Sequence, residues 1–142
     1  MHIKRIDHIA IAVQEGQNTT ELWKNILGLE LEGMEELKDN GVKVFMIGIK
    51  GSSEGVPCIE FLEPLHDTSP ISNYLKNKGN SIHHICFETS DIEKDLEELK
   101  SKSIKLIDEK PRHGAHGSLI AFVNPKAFGG ILVELKQFEN KS

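Results

Sequence analysis

The chain has 142 residues, 38% hydrophobic and 27% charged, so it can bury about 68–70% of its unfolded surface in one core without staples and is too apolar for general disorder. Seventeen basic against 22 acidic side chains leave a formal charge of −5, which argues against a nucleic-acid partner and confines any anionic ligand to a local cluster of positive groups. No apolar run reaches the roughly 20 residues of a membrane span.

Residues 1–7 contain no apolar signal region, so the expected location is cytoplasmic. Residues 6–13, rich in β-branched side chains, read as a buried strand. A helix is expected from about 20 to 27, with Leu22, Trp23, Ile26 and Leu27 as its apolar stripe and Gly28 as its stop. Strands follow at 29–33, 42–49 and 57–62, separated by polar or glycine-containing turns. A linker helix spans about 69–79, capped by Ser69, with Pro70 in its first turn and Gly79 at its end. The pattern then restarts. Residues 82–89 form a strand, and a helix begins near Asp91 with Ser90 as its cap and Ile92, Leu96 and Leu99 on one stripe. Strands at 104–107, 119–123 and 130–137 complete the chain. Cys58 and Cys86 both lie in apolar runs and read as buried small hydrophobes rather than a disulfide.

The restart is an internal repeat. Ile6-Asp7-His8-Ile9-Ala10-Ile11-Ala12-Val13 returns as Ile82-His83-His84-Ile85-Cys86-Phe87-Glu88-Thr89, with His8 and His84 76 positions apart. Cys58-Ile59-Glu60-Phe61-Leu62 parallels Leu132-Val133-Glu134-Leu135-Lys136, with the glutamates 74 apart, and Phe45 matches Phe122 at 77. The architecture expected is α+β, with two tandem βαβββ modules in one domain over residues 3–138: module 1 at about 3–65 and module 2 at about 81–138.

The repeat places His8 and Glu60 where it places His84 and Glu134. A lone strand histidine is ordinarily a hydrogen-bonded core residue, and a lone strand glutamate ordinarily points to solvent by alternation. Four such residues recurring in two halves call for a shared neutralising partner, because an unpaired buried carboxylate costs several kcal/mol. A divalent cation meets that demand. Imidazole nitrogen with carboxylate oxygen suits zinc, manganese, iron, cobalt or nickel.

These stretches resemble the vicinal oxygen chelate (glyoxalase) superfamily and, within it, the methylmalonyl-CoA epimerase family. Beyond the opening strand, the likeness rests on Glu60-Phe61-Leu62-Glu63-Pro64-Leu65, Ile82-His83-His84-Ile85, Pro111-Arg112-His113-Gly114-Ala115-His116-Gly117 and Asn124-Pro125-Lys126 with Gly129-Gly130-Ile131-Leu132-Val133-Glu134-Leu135. The resemblance implies a cupped mixed sheet around a metal site held by His8, Glu60, His84 and Glu134. It implies cobalt first, with manganese, nickel or zinc as alternatives, and a homodimer. The implied reaction is epimerisation of (R)- and (S)-methylmalonyl-CoA: Glu134 removes the C2 proton and the metal stabilises the enolate. Lys126, His116, Arg112 and the loop 114–117 are the candidates for holding the CoA thioester. The sequence departs from some relatives at Val44, where they carry a glutamate, at Glu60, where they carry glutamine, and at Asn124, where they often carry histidine. The competing readings are a lactoylglutathione lyase (glyoxalase I), which uses the same ligand order, an extradiol dioxygenase, and a metal-free small-molecule-binding protein of the same fold. The stretch 124–130 lacks the Asp-Pro-Asp-Gly-like turn usual in the lyase.

Overall fold

The computed structural model describes residues 1–139. It divides into two compact units, residues 8–83 and residues 1–7 together with 84–139. Among the described residues no helix is long and apolar enough to cross a membrane.

In the unit of residues 8–83 the elements are the latter part of β1 (Ile3–Ala12), α1 (Gly16–Leu27), β2 (Leu29–Leu37), β3 (Val42–Ile49), β4 (Cys58–Pro64) and α2 (Pro70–Lys78). The strand order is β2-β3-β4-β1. β1 and β4 run parallel, with Ala10 opposite Glu60, and β3 is antiparallel to both its neighbours. Strand alternation gives this sheet two separate apolar faces. On one, Ala10, Ala12, Val42, Val44, Met46 and Leu62 pack with Ile71 and Leu75 of α2. On the other, Val13, Phe45, Ile47 and Phe61 pack with Trp23 of α1, whose ring meets Phe61 edge-on at 5.0 Å. α2 starts and stops as its sequence dictates: the Ser69 hydroxyl accepts from the Ile71 amide, and Gly79 closes it.

α1 corrects the sequence reading. It begins at Gly16, and three of the four residues expected on its inner stripe face outward: Leu22 is 58% exposed, Ile26 75% and Leu27 62%. The buried side is Gly16, Thr20 and Trp23 instead. Gly16 makes this docking possible, since a Cβ there would lie 2.1 Å from Cε2 of the fully buried Phe45. Gly16→Ala is therefore expected to destabilise the protein by about 1–3 kcal/mol through overpacking, measured as a fall in the urea midpoint. An unchanged midpoint would mean that Phe45 can yield.

The other unit contains the first residues of β1, most of β5 (Ser81–Thr89), α3 (Ile92–Ser101), β6 (Arg112–His113), β7 (Ser118–Val123) and β8 (Val133–Phe138). From β5 the order is β5-β8-β7-β6; β5 and β8 are parallel, and β7 is antiparallel to β8 and β6. Ile92, Leu96 and Leu99 form the expected stripe of α3 and pack on Ala121, Val123 and Leu135. The cap is Asp91, whose side chain accepts from the Lys94 amide, rather than Ser90. The Ser90 amide is used elsewhere, donating to the His2 carbonyl at 3.1 Å.

The strand expected at 104–107 is absent. It is replaced by a single bridge from Leu106 to Val123. The physical reason lies at Asp108, whose carboxylate accepts from the Phe122 amide at 2.9 Å. A side chain there takes the donor that a continuing strand would have paired through its backbone. Strand β6 pairs with β7 further along, Arg112 opposite Ile120. Strands β2 and β4 run beyond their expected ends to Leu37 and Pro64, while β8 begins at Val133, three residues later than expected.

Candidate metal and substrate site

Each unit brings one imidazole and one carboxylate together. In the first, the parallel pairing of β1 with β4 sets Glu60 beside Ala10, on the face to which His8 also points, and His8 Nδ1 lies 3.3 Å from Glu60 Oε2. Both residues are buried, 3% and 6% exposed. In the second, His84 Nε2 lies 3.6 Å from Glu134 Oε1, and these two are buried as well. Phe122, paired with Glu134 across β7 and β8, meets the His84 ring edge-on at 5.2 Å and fixes its plane.

These separations discriminate between two uses of such a pair. A charge-assisted hydrogen bond between imidazolium and carboxylate closes to about 2.7–2.9 Å. Two donors about 2.1 Å from one ion sit about 3.0–3.4 Å apart at octahedral to tetrahedral angles. The first pair falls in the second range, and the other is slightly longer. The nitrogen and oxygen donors, their burial and their spacing therefore fit a divalent ion.

The unit that carries His84 and Glu134 also holds charged residues that sequence reasoning missed. Cys86 stands opposite Glu134, and Glu88 opposite Lys136, across β5 and β8. Lys136 and Asp7 are both buried, and Lys136 Nζ lies 3.3 Å from Asp7 Oδ2. Asp7 Oδ1 takes Arg5 Nη2 at 3.1 Å, and Arg5 Nε donates to Glu88. The signal was present in Glu134-Leu135-Lys136, since a residue two positions after a buried strand glutamate shares its face. Burial, then the adjacent Glu134 carboxylate, pushes the Cys86 thiol far up, so it stays protonated and donates to Glu134.

The adjacent His83 stacks edge-on against Tyr74 at 4.7 Å. Lys126 is exposed on the short turn at 125–128, which Asn124 caps by accepting from the Lys126 amide at 3.0 Å. That cap gives Asn124 a structural role that the sequence reading had left blank. His116 is exposed and adopts a left-handed backbone, φ 57° and ψ 41°, a conformation few non-glycine residues hold without cause. Arg112 donates through Nε to Asp108 at 3.2 Å.

With this geometry in place, relatives give it a context. Residues 7–122 match the family described as glyoxalase/bleomycin resistance protein/dioxygenase superfamily. The chain belongs to that superfamily. The human mitochondrial methylmalonyl-CoA epimerase is 38% identical over 96% of this chain and 75% of its own length. The ethylmalonyl-CoA/methylmalonyl-CoA epimerase of Cereibacter sphaeroides is also 38% identical, over 95% of this chain and 98% of its own. A variant of the Streptomyces coelicolor methylmalonyl-CoA epimerase, in complex with 2-nitronate-propionyl-CoA, superposes with a TM-score of 0.89 at 33% identity, covering 96% of this chain and 95% of that one. Within the superfamily the chain therefore groups with the methylmalonyl-CoA epimerases, and the mixed α+β architecture is theirs.

Proposed function

We propose that this protein epimerises methylmalonyl-CoA at C2 and that His8, Glu60, His84 and Glu134 together hold the divalent ion the reaction uses. The observation that carries the reading is the duplicated pair, one buried histidine and one buried glutamate in each unit at 3.3 and 3.6 Å. The relatives, which are named as epimerases over nearly the whole chain, supply the substrate.

A bound ion would act as a Lewis acid on the thioester carbonyl and so acidify the proton at C2. The remaining work falls to this chain. Glu134 takes the proton, the role that the resemblance to the epimerase family gives it; Cys86 stands opposite it across β5 and β8. His8, His84 and Glu60 orient the ion-binding side of the site. Two carboxylates make a divalent ion formally neutral, so Glu60 tempers its Lewis acidity relative to a glutamine there. Lys126 and His116, exposed on the loops at the two ends of β7, are proposed to receive the CoA portion through their positive or hydrogen-bonding groups.

The test is hydrogen exchange. Cobalt-loaded protein is incubated with methylmalonyl-CoA in D₂O, and deuterium at C2 is followed by mass spectrometry beside no-enzyme and EDTA-treated samples. Exchange well above background that EDTA abolishes and cobalt restores is expected. Exchange at the background rate would overturn the reading, and turnover of the hemithioacetal of methylglyoxal and glutathione would then favour the lyase.

A further inference from the structure

Under the proposed function Glu134 has two tasks, ligand and base, on a side chain that turns about its single bonds unless its neighbours stop it. A base held away from its working angle loses much of its rate. The sheet row in which Glu134 stands decides what holds it.

That row is Cys86, Glu134 and Phe122, on β5, β8 and β7. Directly opposed residues share a face and are one another's nearest cross-strand neighbours. Phe122 brings a ring, whose contact is with His84, edge-on at 5.2 Å. Cys86 brings a thiol, which donates to Glu134. The thiol is the side-chain donor of the row. In the next row Lys136 stands opposite Glu88, and its Nζ is engaged by Asp7 at 3.3 Å.

Burial gives the thiol its weight. Cys86 is fully buried and Glu134 only 6% exposed, so water has little room to take the donor's place. A hydrogen bond to an ionised acceptor is stronger than a neutral one, and a low local dielectric strengthens it again. Cysteine also packs as a small hydrophobe, which suits its place in the run Ile85-Cys86-Phe87. The sequence reading of Cys86 is correct for its packing and leaves out its proton.

We propose that Cys86 is the positioning residue of Glu134, its S–H proton holding the carboxylate in the orientation from which it takes the C2 proton; this rests on the reading given under Proposed function. The thiol is no part of the proton's route. No bond to sulfur is made or broken during turnover.

The test uses substitutions at Cys86 and one spectrum. Cys86→Ala and Cys86→Val both remove the donor, the second without leaving a void, whereas Cys86→Ser keeps a donor. With cobalt saturating, the alanine and valine variants are expected to lower kcat for epimerisation about 10–100-fold and to leave KM within about threefold of wild type. Cys86→Ser should recover most of that loss. Urea midpoints measured beside the rates separate packing from positioning, since a buried serine should be no more stable than alanine or valine and yet be the faster enzyme. The spectrum is the infrared S–H stretch of metal-free protein carrying Cys58→Ala, in which Cys86 is the remaining thiol. The band should lie below its position in the unfolded protein and rise toward it when Glu134→Gln puts a neutral amide where the carboxylate was. Cys86→Ala turning over within about threefold of wild type, Cys86→Ser no faster than Cys86→Ala, or an S–H band unmoved by Glu134→Gln would each overturn the proposal. If the wild-type protein neither exchanges nor inverts, the epimerase reading itself has failed, whereas the S–H band, read without metal or substrate, still decides whether Cys86 holds Glu134.

Discussion

Glu134→Gln is expected to lower kcat for epimerisation at least 1,000-fold, and saturating cobalt should not restore it. Removing a positioned acid/base forfeits about 10²–10⁴ in rate. Glu134 is buried 3.6 Å from His84 Nε2, so its amide would also weaken the metal site. The informative control is Glu60→Gln, because Glu60 occupies the equivalent place in the other half, 3.3 Å from His8 Nδ1, without a proposed share in proton transfer. Glutamine keeps an oxygen donor and leaves a divalent ion with one net positive charge, which strengthens its pull on the substrate. Glu60→Gln should therefore bind the metal more weakly yet retain epimerase activity within about tenfold once the ion is saturating. Metal titration read by cobalt absorption, beside kcat at each loading, separates the two effects. Equal behaviour of the two variants at saturating metal would remove the proton-transfer role from Glu134.

Breaking the buried Asp7–Lys136 pair should produce the largest loss of stability in the molecule. The two side chains are 7% and 4% exposed and 3.3 Å apart. Truncating one member of a buried pair typically costs about 3–5 kcal/mol, because the surviving charge has left water for a neighbour that is gone. Asp7 retains Arg5 at 3.1 Å when Lys136 is lost, so Lys136→Met belongs near the lower end of that range and Asp7→Ala near the upper. For a chain of 142 residues the corresponding fall in Tm is roughly 10 °C or more. Asp7→Ala combined with Lys136→Met should lose much less than the sum of the two single variants, since neither buried charge then outlives its partner. Urea unfolding of the two single variants and the double variant completes a cycle. A coupling near zero would show that the pair is held together by its surroundings and contributes little of its own.

The candidate ligands were legible because the chain carries the pattern twice. A strand histidine or glutamate alone is ambiguous, but His8 with Glu60 and His84 with Glu134 repeat at nearly one separation, and the structure finds each pair buried and adjacent. The linker helix was legible for a local reason: Ser69, Pro70 and Gly79 carry its start and stop in their own backbone preferences. The outward turn of Leu22, Ile26 and Leu27 was not legible. Their spacing describes an apolar helix stripe equally well whichever side docks, and what decides is Phe45, which meets the helix at Gly16. Asp108 likewise ends an apolar run by capturing a backbone amide from β7, a partner 14 residues away that periodicity cannot see.

The sequence by itself determined the two-module α+β plan, its superfamily and the four residues proposed to bind the ion, since these depend on repetition, alternation and local capping. Tertiary structure alone decided which ionisable groups share the working faces. Lys136 is a strand residue until pairing and burial set it against Asp7, and Cys86 is one residue of an apolar run until its register places it opposite Glu134. The physical reason is that strand alternation fixes a side chain's face relative to its own neighbours only. Which groups it meets there depends on the pairing register, a property of strands distant in the chain.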